Sequence, residues 1–212
     1  MSRDGTQNHE GSGRRLGRPR SFDRDATIDA ATACYRREGP HGISLNEVCR
    51  RVSVSKPGIY REFGGGDGLL AAVIDRYRDR VVLPLLDLLA SGLPFDDVLR
   101  AIIAAATSKR DGPMGGLIAE ARLERHRLGP LAADRLDAVS KEVLSAYEAR
   151  CRRAVADGQA NRELEPAFAA SYLDAQFRML LIRFHRGEDP ETVARHAWLA
   201  LQVLLAPDQR AG

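Results

Sequence analysis

The chain has 212 residues, 44% of them hydrophobic, 29% charged and 6% aromatic, with a formal net charge of +3. This is the composition of a globular protein large enough for one large domain or two smaller ones, with a core of mostly aliphatic side chains. It excludes a membrane-spanning chain, since no apolar run approaches the roughly 20 residues a spanning helix needs. The polar N-terminus lacks a signal-peptide core. Three cysteines (Cys34, Cys49 and Cys151) with no C-x-x-C pair predict free thiols in a reducing cytoplasm.

The charge is unevenly spread. Residues 1–61 hold twelve Lys and Arg against seven Asp and Glu, a net +5 that leaves −2 for the rest. A basic first third on a slightly acidic remainder suits a polyanionic partner at one end, although a solvated basic surface would look the same.

In chain order, residues 1–16 are polar, rich in Gly, Ser and charge, and read as a disordered tail. Gly17-Arg18-Pro19-Arg20 closes it. Asp23 then caps a predicted helix to about Glu38, with Ile28, Ala31 and Tyr35 at helical spacing. Gly39-Pro40-His41-Gly42 breaks that helix. Ser44-Leu45-Asn46-Glu47 is a capping-box pattern, in which Ser and Glu would each satisfy the other's backbone N–H, and it opens a short helix to about Val52. Ser55 caps a shorter third helix, with Pro57 in its first turn, ending by Phe63.

The glycine run at 64–66 is a break rather than a phosphate loop, because no Gly-Lys-Ser/Thr follows it. Asp67 is expected to cap a fourth helix to about Leu89, kinked at Pro84. Five further helices are expected over about 95–109, 114–127, 130–156, 167–186 and 191–205. The prediction is all-α, with nine helices and no sheet.

The second and third helices, joined by Ser53-Val54, have the short helix, tight turn, short helix layout of a helix-turn-helix, whose second helix lies in the major groove of DNA. Val54 is placed to plug the angle between them, and Ile59 and Phe63 to face the core. Lys56, Gly58, Tyr60 and Arg61 are left facing outward. A charged helical hairpin without DNA binding shares the layout, but not the spacing of Val54-Ser55-Lys56, Tyr60 and Phe63.

Residues 18–70 resemble the DNA-binding domain of TetR-type repressors (the TetR/AcrR type). Ile28 to Gly39 is similar to that family's first helix, Ser44 to Val48 to its second, Val54 to Phe63 to its recognition helix, and Leu69-Leu70 to the start of its fourth. The resemblance implies a helix-turn-helix domain over 17–66 and a helical ligand-binding and dimerisation domain over 67–212. It implies phosphate contacts from Ser44, Ser55, Lys56 and Tyr60. Pro57, Gly58 and Arg61 would face base edges, with Arg61 reading a guanine, and Arg18 and Arg20 would form a basic arm. Two positions depart from the family pattern. Ser53 stands where glycine is usual, so a left-handed backbone there carries a side chain. Gly66 stands where lysine is frequent, which removes a phosphate contact.

In the resembling family the sixth helix borders the ligand cavity. Arg122 and His126 are therefore candidates to meet an anionic ligand, with Tyr147, Cys151 and Phe177 completing the set. The run 122–127 reads equally as a solvated face of (i, i+3) pairs. Cys151, flanked by Arg150, Arg152 and Arg153, is expected to have a lowered thiol pKa, whereas Cys34 and Cys49 are expected to be buried. The eighth and ninth helices carry more apolar surface than one inward stripe requires. The resemblance implies that they pair two subunits in a four-helix bundle.

The histidines show no metal spacing, and no acid/base pair, nucleophile elbow or dinucleotide fingerprint occurs. Neither an enzyme nor a cofactor is expected. The reading is a ligand-responsive repressor that binds a palindromic operator as a homodimer. The alternative is a helical protein–protein adaptor that has lost DNA binding.

Overall fold

The computed structural model of the protein describes residues 22–108 and 114–207. The expected tail, Arg18 and Arg20, and the break at Gly112-Pro113 lie outside the described residues. Ten α-helices follow one another: α1 (Arg24–Glu38), α2 (Leu45–Arg51), α3 (Lys56–Phe63), α4 (Gly66–Tyr77), α5 (Leu83–Ala90), α6 (Phe95–Ala106), α7 (Met114–Leu123), α8 (Pro130–Ala156), α9 (Pro166–His185) and α10 (Pro190–Leu201). No strand occurs among the described residues. One isolated antiparallel bridge, Ala160 to Leu205, ties the loop after α8 to the chain beyond α10. No described helix is long and apolar enough to cross a membrane.

Local signals account for most of the starts. The side chains of Asp23, Ser44, Ser55 and Asp189 accept from backbone N–H groups at Ala26, Glu47, Gly58 and Thr192, and each such cap contributes about 1 kcal/mol. Proline stands in the first turn of α3, α8, α9 and α10, where its missing donor costs nothing.

Three expectations change. The fourth predicted helix is a rod in two α-helical pieces, α4 and α5, joined by a π-helical stretch, Arg78–Val82. Pro84 has no N–H, and its ring would crowd the carbonyl four residues back. The chain widens there, and Leu83 N–H reaches back five residues to Arg78. Counted this way, the described helices form nine rods. The sixth predicted helix stops at Leu123, and Arg125–Arg127 form a 3-10 turn. The last stops at Leu201 and tightens into a 3-10 turn over Gln202–Leu204.

A further change ties the start of α4 to the start of α8. Asp67 does not cap α4, whose first turn has no side-chain cap. Its carboxylate instead accepts from Leu131 N–H at 2.9 Å and Ala132 N–H at 3.0 Å, in the first turn of α8. These amides have no partner within their own helix, and the positive end of the α8 dipole favours the carboxylate. A Cβ on Gly129 would come within 2.3 Å of Asp67 Cγ, so only glycine leaves room for this bond.

Buried side chains form two cores. The first joins α1–α4 to α7 and the front of α8, through Ile28, Val48, Ile59, Leu69, Ile118 and Leu136. The second joins α5, α6, the rear of α8, α9 and α10, through Phe95, Leu99, Leu173 and Leu201. With 27 residues, α8 is about 40 Å long and serves both.

Candidate nucleic-acid interface and effector core

The candidate DNA-reading unit is α2, its turn and α3. Ser53 is the only non-glycine described residue in the left-handed region, at φ 57°. This is the backbone the resemblance implied for that turn, and it carries a serine where glycine would be unstrained. Val54 packs against the first core, and Ile59 and Phe63 are buried in it. Phe22 meets Phe63 edge to face with ring centroids 6.0 Å apart, and the Arg24 guanidinium lies 5.2 Å from the Phe63 ring centre.

With that face buried, Ser55, Lys56, Pro57, Tyr60 and Arg61 are exposed along the opposite side of α3, beside exposed Ser44 at the start of α2. Ser44 and Ser55 each use an oxygen lone pair as a cap acceptor. A hydroxyl also has a proton to donate, so both remain able to donate outward to an anion. Arg61 leans on Glu62 at 3.1 Å with its side chain 68% exposed. That exposed pair is weak and easily exchanged for another acceptor.

Two site expectations are corrected. Gly58 does not face outward. It is buried, and a Cβ there would meet Ser55 Oγ at 3.1 Å and the Phe22 ring at 3.2 Å. Its role is to let α3 approach Phe22, a residue that sequence reasoning passed over. The capping box is half formed. Ser44 accepts from Glu47 N–H, but the Glu47 carboxylate accepts from Arg50 Nε and Nη2 at 2.8 and 2.6 Å and from Arg51 Nε at 2.6 Å. Two guanidiniums outbid one amide for a carboxylate. The bonds from Arg50 and then Arg51 hold Glu47 at about 2. Arg51 also reaches Glu38 on α1, which fixes α2 against α1.

Four of the five candidate ligand contacts are linked through one buried group. Arg122 makes two bonds of 2.8 Å to Asp174. Burial, the largest single effect, would lower the Arg122 pKa, but the bond to Asp174 and its charge, with Tyr77 and Tyr147, together outweigh it and the net shift is upward. Tyr147 stacks on Phe177 at 5.9 Å and lies within the electrostatic reach of Tyr77, Asp174, Arg122 and Cys151. Burial raises both phenols, Tyr77 to about 12. Tyr77 and Asp174 were not singled out in the sequence, because their contact with Arg122 joins residues far apart in the chain.

His126 is not part of this group: it is exposed on the 3-10 turn after α7. The expected low thiol pKa of Cys151 is also overturned. Burial pushes the thiol up to about 12, and the charge of Arg150 offsets only part of this. The neighbouring arginines are occupied elsewhere, Arg150 on the Leu93 carbonyl, Arg152 on Glu148 and Arg153 on the Leu89 carbonyl. Cys34 and Cys49 are buried, as expected. No cluster of three His, Cys, Asp or Glu able to hold a metal occurs among the described residues.

The family model described as "Bacterial regulatory proteins, tetR family" matches residues 28–73, from the buried face of α1 through α3 into α4. Residues 28–73 are thus similar to the DNA-binding segment of that family. Over 64 residues it is 41% identical to the HTH-type transcriptional repressor ComR of Escherichia coli K12, a match covering 30% of each chain. Over 131 residues it is 30% identical to the HTH-type transcriptional repressor Rv3405c of Mycobacterium tuberculosis, covering 59% of this chain and 63% of that one. The matched segments thus span less than two thirds of either curated relative. The fold is shared along nearly the whole length with the tetR-family regulator CifR, in a cysteine mutant solved with 26-base-pair operator DNA. The TM-score is 0.70 at 25% identity, covering 89% of this chain and 100% of that one. These relatives are named as regulators or repressors.

Proposed function

We propose that this protein is a cytoplasmic repressor of the tetR family that binds a palindromic operator as a homodimer and releases or grips it in response to a small molecule. The observation that carries the reading is the outer side of α3. Lys56, Tyr60 and Arg61 stand exposed there beside two capping serines whose hydroxyls can still donate. On this reading Ser44, Ser55, Lys56 and Tyr60 hold phosphates, and Arg61, with Pro57 at the helix start, faces base edges. Arg18 and Arg20 would add a basic arm. With Gly58 turned inward, one fewer position faces the groove, and DNA shape supplies more of the discrimination.

The homodimer is supported by α9 and α10, where Phe168, Met179 and Leu199 are each more than half exposed. Large apolar side chains clustered on one helix pair mark a protein interface. Two recognition helices related by a two-fold axis would sit about 34–36 Å apart to enter successive major grooves. For the effector, the group formed by Tyr77, Arg122, Tyr147, Asp174 and Phe177 combines buried aromatic surface with a polar pair, the mixture small-molecule sites use. It touches α4, α7, α8 and α9, so a ligand there would act on the helix leading directly from α3.

Selection from random-sequence oligonucleotides with wild type and Arg61→Ala tests the reading. The expected result is a palindrome enriched by wild type and blurred in each half-site by Arg61→Ala, with a loss of about 1–3 kcal/mol per base contact. If wild type enriches nothing at low salt, the adaptor alternative takes its place.

A further inference from the structure

A cleft of about 610 Å³ opens where the DNA-reading unit meets the remainder of the molecule. One wall is the end of α1 and the following turn, with Arg36, Arg37 and His41. The other is α7, its 3-10 turn and the end of α9, with Glu120, Arg127 and His185. Arg186 and Glu124 flank the second wall. It lies apart from the Arg122–Asp174 group, neither member of which lines it.

Four buried side-chain nitrogens lack a hydrogen-bond partner among the described residues, and three belong to this cleft: Arg36 Nε, His41 Nε2 and His185 Nδ1. Native structures rarely bury a polar group unpaired, and such orphans mark a missing ion, water or ligand. Arg36 and His41 belong to one wall and His185 to the other, so the orphans stand on both sides of the cleft.

The charges settle the sign. The cleft's carboxylates are neutralised locally. Glu38 takes Arg51, Glu124 takes Arg127 at 3.1 Å, and Glu120 lies 3.8 Å from Arg186 and 3.9 Å from His185. Arg36 and Arg37 have no carboxylate partner among the described residues. The excess charge in the cleft is therefore positive. Burial chiefly, then the charge of Arg127, holds the His41 imidazole below the ordinary value, against an opposing effect of Glu124 4.0 Å away.

We propose that this cleft is a second ligand site, taking a small anion with two acidic groups, carboxylate or phosphate, held by the unpaired Arg36 and Arg37 of α1 and by Arg127 and Arg186 of the opposite wall, which would exchange their solvent-exposed pairs with Glu124 and Glu120 for it. Guanidinium groups suit both chemistries through paired N–H donors. Two acidic groups are needed because the basic groups come from two walls. An anion bridging them would tie α1 to α7 and α9. On the DNA-binding reading above, it would thereby bias the angle at which α3 is presented.

The test is calorimetric titration of the full-length protein, without DNA, with citrate and with inorganic pyrophosphate, each against acetate at matched ionic strength. The variants are Arg37→Gln and Arg186→Gln, both at exposed cleft positions, with Arg152→Gln on the far part of α8 as control. Saturable binding tighter than about 1 mM is expected for at least one of the two polyanionic probes. Each cleft variant should weaken it about tenfold, the loss of one charge-assisted hydrogen bond, and the control should leave it unchanged. No saturation with either probe, or indifference to both cleft variants, overturns the proposal. Because DNA is absent, this outcome is independent of whether the protein binds an operator.

Discussion

Glu47 shows how a single side chain chooses among partners. The sequence pattern offers it the Ser44 amide, and the folded chain gives it two arginines. Its carboxyl is held at about 2 against an ordinary 4.5. A lowered pKa means that the folded state holds the proton less tightly than the unfolded chain. The stabilisation is thus present in full above about 4.5 and lost as pH falls through about 2. Thermal melts of wild type and Glu47→Gln should differ by a constant amount at neutral pH and converge as pH drops toward 2. A gap that persists at pH 2 would show that packing rather than charge separates them. The same scale explains why Cys151 was misjudged. Sequence shows neighbouring arginines, but not that a buried thiol loses more to desolvation than nearby charge restores.

Among the elements, legibility follows the range of the interactions. The caps at Asp23, Ser44 and Ser55, the starts at Pro130 and Pro190, and the left-handed turn at Ser53 were readable because cause and effect lie within four residues. Asp67 was misread because its partners lie 64 and 65 residues away, a distance at which no local pattern speaks. Gly58 was misread for the same reason, since Phe22 lies far upstream and no periodicity requires its ring to cover α3. The Arg122–Asp174 pair was half visible: the arginine stood in a charged run, and its partner 52 residues on did not.

The Asp67 bond makes a sharp expectation. Asp67→Ala removes both contacts with α8, and Gly129→Ala should expel the carboxylate by contact with its new Cβ. Each should destabilise by about 0.5–2 kcal/mol in urea denaturation, as expected when exposed and partly buried amides at a helix start lose their capping acceptor. Because both variants break the same bond, the double variant should cost little more than either alone. Additive losses would mean that Gly129 matters for its own backbone and that the carboxylate is incidental.

For the whole molecule, the exposed apolar side chains of α9 and α10 bear on assembly. Leu199→Asp places a charge in the proposed interface while leaving the buried face of α10, Val193, Ala197 and Leu201, untouched. Light scattering should give a dimer for wild type and a monomer or a mixture for Leu199→Asp, with DNA affinity falling as the second half-site is lost. A wild-type monomer at micromolar concentration would remove the two-fold arrangement.

The two cores also set how the molecule comes apart. Because α8 carries side chains of both, from Ala132 in one to Ala154 in the other, neither core can open alone without stripping one side of the same helix. The amides midway along α8 are then the last to exchange with solvent, in step with global unfolding, while the unshared ends of α2 and α10 exchange through local fraying. A chain built this way couples its two halves by a common rod rather than a hinge, and loosening one half is felt as lost cooperativity in the other.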